Sequence, residues 1–210
     1  MCFICCFFSP LGCGGGGVAL SRVIISGEEE LTQEEYERLL EAALRQGNER
    51  LCFAMQTICA TGIRVSELRH VTVESLKRGR VEIENKGKIR EMLLPDDVVS
   101  ALRGYARKHG IKSGSIFVTK SGQPLHRSNI WTEMKALCGA AGVDEKKVYP
   151  HNLRRHFAVK FYATTGDFAK LADILGHSDH RTTRIYIRES GAEHRRLINS
   201  LGLVKYRHTT

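Results

Sequence analysis

The chain has 210 residues, of which 42% are hydrophobic, 26% charged and 7% aromatic, enough for one sizeable domain, or for one domain plus a small appendage, and too apolar for a disordered chain. Its 32 Lys and Arg against 23 Asp and Glu leave a net charge of +9, which points to polyanionic partners. No run approaches the roughly 18 consecutive apolar residues of a membrane helix, and Phe3 to Phe8 is too short, with no basic residue before it, for a secretory signal; a cytoplasmic protein off the membrane is expected.

Residues 1–30 differ in kind from the rest, with Gly14 to Gly17 in a row, no periodicity, and Cys2, Cys5, Cys6 and Cys13 crowded together. These cysteines lack a second ligand pair at zinc spacing, so no metal is expected there. Cys52, Cys59 and Cys138 stand singly in apolar patterns and read as reduced structural thiols. Residues 1–30 are therefore expected outside the fold. Without them the body, residues 31–210, keeps 31 basic and 20 acidic residues, or +11.

Thr32 and Glu35 form a capping-box pattern ahead of Tyr36, Leu39, Leu40, Ala43 and Leu44, which predicts a first helix ending near Gly47. A second helix is expected from Asn48 to Ala60, stopped by Thr61-Gly62, and a short one from Ser66 to His70. Val81 to Ile83 and Ile89 to Leu94, parted by Asn85-Lys86-Gly87-Lys88, read as a hairpin. Asp96 is expected to cap a helix through Lys108, Ile116 to Val118 to form a short strand, and Ser128 to cap a helix through Ala140. A Pro150-led helical series follows. The fold class is mainly α with a small antiparallel β-sheet, α+β.

Three clusters carry candidate chemistry. In Thr61-Gly62-Ile63-Arg64-Val65-Ser66-Glu67-Leu68 an arginine stands at a helix start, against the macrodipole, and wants an anion. Glu67 one turn on can supply it, and so can a bound phosphate. In Pro150-His151-Asn152-Leu153-Arg154 a spacing of three puts His151 and Arg154 on one helix face, with Leu153, Phe157 and Phe161 on the buried side. That pairing suits a phosphate oxygen better than a metal, because the arginine repels a cation; a merely solvated basic face is the alternative. In Leu175-Gly176-His177-Ser178 through Thr182-Thr183-Arg184-Ile185-Tyr186, Gly176 ends one helix and Ser178 or Asp179 can cap the next. Tyr186 on that helix is either a half-buried hydrogen-bond donor or a nucleophile whose phenolate nearby cations stabilise.

In this order the clusters resemble the catalytic domain of the tyrosine recombinase (phage integrase) family, over about residues 31–200. The resemblance makes Arg64, His151, Arg154 and His177 phosphate-facing groups and Tyr186 the nucleophile, with Glu67 supporting Arg64. It also implies a hairpin lysine, best matched by Lys86, with Lys88 as the alternative. Asn152 departs from the commoner Asp of the H-x-L-R motif. The implied partner is double-stranded DNA, cut and rejoined through a 3′-phosphotyrosyl bond without metal, ATP or other cofactor. Residues 192–204 carry Leu197, Ile198, Leu201 and Leu203 at helical spacing, and by the resemblance this helix docks on a neighbouring protomer of a homotetramer; packing on its own domain is the alternative. The family also implies a helical core-binding domain of about 100 residues ahead of the catalytic one. Residues 1–30 do not supply it, so this chain is expected to be shorter than a whole recombinase. Two competing readings are a type IB topoisomerase-like relaxing activity and a non-catalytic DNA-binding remnant.

Overall fold

The computed structural model describes residues 30–85, 88–119 and 121–176. Its elements in chain order are α1 (Gln33–Arg45), α2 (Glu49–Thr61), a 3-10 helix (Val65–His70), α3 (Val73–Arg78), β1 (Arg80–Asn85), β2 (Lys88–Leu93), α4 (Asp96–Lys108), α5 (Arg127–Ala141), a 3-10 turn (Glu145–Lys147), α6 (Pro150–Thr165) and α7 (Phe168–Leu175). Among the described residues the sheet is a single antiparallel pair, in register from Arg80 opposite Leu93 to Asn85 opposite Lys88. The mainly helical α+β class read from the sequence is the observed one.

The helix starts follow from their caps. The Thr32 hydroxyl accepts the Glu35 N–H at 3.2 Å while the Glu35 carboxylate accepts the Thr32 N–H at 2.8 Å, the reciprocal box the sequence predicts. Asn48 caps α2 through the Leu51 N–H, and Gly62, with φ +66°, ends it. Two caps differ from expectation. Pro95, not Asp96, is the N-cap of α4, which places Asp96 and Asp97 in the first turn, where their charge complements the dipole. His126, not Ser128, caps α5, its Nδ1 accepting the Ser128 N–H.

α2 is the central helix. It packs against α1, α4, α5 and α6 and buries Leu51, Cys52, Ala54, Met55, Thr57, Ile58 and Thr61, a distribution too wide for a single apolar stripe. Its two buried threonines return their hydroxyls to the backbone one turn back, Thr57 to Phe53 and Thr61 to Thr57. Leu39, Leu102, Ile130, Met134 and Leu153 close around it in one core. A smaller cluster of Ala158, Leu171 and Leu175 joins α6 to α7, with Phe157, Phe161 and Phe168 packed against it.

Two segments depart from the sequence reading. α3 arises from a Thr72–Ser75 capping box that periodicity did not reveal, since the helix has only six residues. Ile116 to Val118 is not a strand: the stretch makes isolated bridges, Thr72 with Ser115 and Val118 with Pro124. Ile116 and Phe117 are fully buried there, so their apolar character reflects core packing rather than a sheet. Among the described residues, no helix is long and apolar enough to cross a membrane.

Candidate active site

Thr61 and Gly62 turn the chain out of α2. The Thr61 hydroxyl accepts the Ile63 N–H at 3.2 Å, and the positive φ of Gly62 redirects the backbone so that Arg64 stands at the N-cap of the Val65–His70 helix. Gly62 is also a point of close approach: a Cβ there would lie 2.6 Å from a Phe157 ring carbon and 2.9 Å from Leu175 Cδ2. The turn is thereby pressed onto α6 and α7.

Glu67 organises Arg64. Its Oε2 accepts the Arg64 backbone N–H at 2.9 Å and its Oε1 accepts the Arg64 Nη1 at 2.8 Å. The same Oε2 accepts Nη2 of Arg90 from β2 at 2.8 Å. Burial alone pushes the Glu67 carboxyl up, but the Arg64 amide and guanidinium hydrogen bonds, with the charges of Arg90 and Arg64, outweigh it and hold the carboxyl below its ordinary value. The structural pair anticipated between Arg64 and Glu67 is therefore present, with a second arginine added.

Pro150 opens α6 at its first position, as its locked φ and missing N–H allow. One turn on, Arg154 is buried. Its guanidinium donates to the carbonyl of Gly62 and, at 2.7 Å, to that of Leu175 at the end of α7. Leu153 lies in the core as expected, whereas Phe157 and Phe161 are only partly buried, against the smaller cluster. His151 is exposed at the N-terminal end of the same helix. Such desolvation as its ring feels, followed by the charges of Arg154, Arg155 and Arg64, holds it below the ordinary imidazole value, so it is neutral near pH 7.

These residues converge. A cleft of about 210 Å³ is lined by Ile63, Arg64, Val65, Ser66, Arg127, Pro150, His151 and Arg154. The N-terminal ends of the Val65–His70 helix, α5 and α6 meet there, and helix N-termini favour anions. Among the described lining residues are three arginines and an imidazole and no carboxylate. Such a surface repels a metal ion and suits a singly charged phosphodiester, whose non-bridging oxygens take forked guanidinium donors.

Arg64, Glu67, His151 and Arg154 are thus brought together from segments about ninety residues apart in sequence, as the Arg154 to Gly62 bond records. Lys86, His177, Tyr186 and residues 192–204 lie outside the described residues, and Lys88 enters only through its backbone in β2. Arg127, the first residue of α5, lines the cleft as well. Arg90 was missed. Its signal is that it shares a strand face with the buried Met92 and Leu94 while Ile89 and Leu93 point outward, 74% and 73% exposed; a charge on the inward face demands a buried partner. Lys147 is paired with Glu35 at 2.9 Å.

The chain matches the phage integrase family over residues 29–193. Tyrosine recombinase XerD of Staphylococcus saprophyticus is 33% identical over 154 residues, which cover 69% of this chain and 52% of that protein. Tyrosine recombinase XerD of Oceanobacillus iheyensis is 31% identical over 168 residues, 74% of this chain and 56% of that one. The chain spans about half the length of the curated relatives it matches. Among solved structures, XerA recombinase superposes with a TM-score of 0.65 at 28% identity, over 85% of this chain and 64% of that one. A XerH site-specific recombinase bound to difH substrate has the same fold, with a TM-score of 0.68 at 23% identity, over 89% of this chain and 56% of that one.

Proposed function

Because this chain belongs to the phage integrase family, we propose that it is a site-specific DNA strand transferase that cuts and rejoins double-stranded DNA through Tyr186. Residues 31–210 form the catalytic domain in this reading and residues 1–30 lie outside it. The observation that carries the proposal is the cationic cleft in which Arg64, His151 and Arg154 converge.

The scissile phosphate sits between Arg64 and Arg154, whose fixed charges hold its non-bridging oxygens and stabilise the negative charge that builds there during attack. Tyr186 Oη attacks phosphorus as the bond to the 5′ oxygen breaks, leaving a 3′-phosphotyrosyl bond and a free 5′-hydroxyl. His151 takes the phenol proton, for which its neutral form is suited. Lys86, or Lys88 in its place, gives a proton to the departing 5′ oxygen, and His177 adds a hydrogen bond to the phosphate. The phosphotyrosyl bond retains the energy of the phosphodiester, so a second 5′-hydroxyl reverses the step without ATP. Arginines take the charge-stabilising part that a metal has elsewhere. Residues 192–204 link protomers into a homotetramer on two duplexes, in the cytoplasm where the DNA is.

The test is incubation with a nicked suicide duplex built from the DNA flanking the gene, followed by denaturing electrophoresis. A covalent protein–DNA band that is lost in Tyr186→Phe supports the proposal, and absence of any such band overturns it. Relaxation of a supercoiled plasmid by the monomer, with no strand exchange, would favour topoisomerase-like activity instead.

A further inference from the structure

Arg90 lies outside the cleft yet touches the supports of both its arginines. Nη2 donates to Glu67 Oε2 at 2.8 Å, and Glu67 holds Arg64 by backbone and side chain. Nη1 donates to the Ile174 carbonyl at 3.1 Å. The next carbonyl along, that of Leu175, is taken by Arg154 at 2.7 Å. These are carbonyls of the last turn of α7, which have no partner within the helix and form its negative pole. Gly176 ends that helix with φ +64°, and any Cβ there would run into the Arg90 side chain, so the Arg90 side chain lies close against the backbone where α7 stops. The Arg90 side chain is 17% exposed.

We propose that Arg90 is a positioning residue that sets the spacing between the two phosphate-holding arginines, bracing Arg64 through Glu67 and Arg154 through the end of α7 they both grip. The inference rests on the proposed strand-transfer function. A guanidinium is required because one planar group must reach a carboxylate and a carbonyl in different directions; a lysine ammonium at the end of a flexible stem can satisfy one but does not fix both. Loss of the brace lets the two arginines drift relative to one phosphate, and a misplacement of about 1 Å in such a site lowers rate on the order of 100-fold.

The experiment compares the unchanged protein, Arg90→Lys and Arg90→Met on two nicked suicide duplexes. One carries the ordinary scissile phosphate and the other a methylphosphonate, in which a neutral methyl replaces a charged non-bridging oxygen. Circular dichroism of each variant reports whether it is folded. Positioning of the arginines matters less where there is less charge to hold. The expected result is therefore a loss of about 100-fold for Arg90→Met on the phosphate, a smaller loss for Arg90→Lys, and a variant-to-unchanged ratio that rises toward one on the methylphosphonate. A merely structural defect lowers both substrates by the same factor, and that result overturns the positioning role, as does full activity of Arg90→Met. If Arg90→Met does not fold, Arg90→Lys reads the same ratio. No covalent product from the unchanged protein on either duplex overturns the strand-transfer function and the brace with it, whereas cleavage by the unchanged protein with equal loss on both substrates overturns the brace alone.

Discussion

Glu67 holds Arg64 at two points, taking its backbone N–H at 2.9 Å and its Nη1 at 2.8 Å. The double contact fixes where the arginine begins as well as where it points. Glu67→Ala removes both contacts and takes the carboxylate partner from the half-buried Arg90 guanidinium. The expected loss is roughly 1–3 kcal/mol in urea unfolding, with a fall in covalent complex formation larger than the stability loss accounts for. Wild-type cleavage by this variant would count against the assigned support.

The same carboxylate makes stability depend on pH. Its folded pKa lies below the ordinary value of 4.5, so the stabilisation is fully present above that value and is lost as pH falls through the lower, folded pKa. The sign is that of a group more readily ionised in the native state. In urea titrations, Glu67→Gln is expected to be less stable than the unchanged protein at pH 7, with the gap narrowing below pH 4.5. A gap that stays constant down to acid denaturation would contradict the linkage.

His151 is held below the ordinary imidazole value of 6.5, by desolvation and then by Arg154, Arg155 and Arg64. In the proposed role of base it works in its neutral form, so the rate of covalent complex formation should be flat around neutrality and fall only below pH 6.5. Arg155→Gln removes one of the cations that depress it and should move the acid limb toward higher pH. A limb that does not respond assigns the titration to another group.

Gly62 ends α2 at φ +66° and lies beneath Phe157 and Leu175. Gly62→Ala combines a left-handed residue with overpacking and is expected to destabilise by about 2–4 kcal/mol, read as a lowered Tm. Because the Gly62 carbonyl accepts from Arg154, cleavage should fall as well in whatever fraction remains folded.

Asn152 is buried, and its Nδ2 donates to the Lys147 carbonyl at 2.7 Å. An aspartate there sets an acceptor against an acceptor unless it is protonated. Asn152→Asp is therefore expected to lose roughly 1–3 kcal/mol at pH 7 and to recover part of it in acid. Equal stability of the two forms at pH 7 would show that the donor is dispensable.

The reach of sequence reading is visible in these residues. The Thr32–Glu35 box, the Gly62 stop and the Pro150 start are local devices, governed by contacts within one turn, and are legible from spacing alone. Ile116 to Val118 was misread because a short apolar run looks the same whether it pairs in a sheet or fills a core. α3 was missed because six residues carry too little periodicity. At the site, Arg64 and its supporting Glu67 are legible as a pair three residues apart, and His151 with Arg154 as one helix face.

What the sequence by itself determined was the identities and local spacings of Arg64, Glu67, His151 and Arg154, and with them a family. What only the tertiary structure decided was how those groups are held. The burial of Arg154 on the carbonyls of Gly62 and Leu175 and the place of Arg90 on Glu67 and Ile174 depend on contacts between residues about twenty to ninety positions apart. The physical reason is that a cap or a turn is specified by neighbours in the chain, whereas a buried charge is specified by whichever distant backbone and side-chain atoms the packing of α2, α6, α7 and β2 brings within hydrogen-bonding distance.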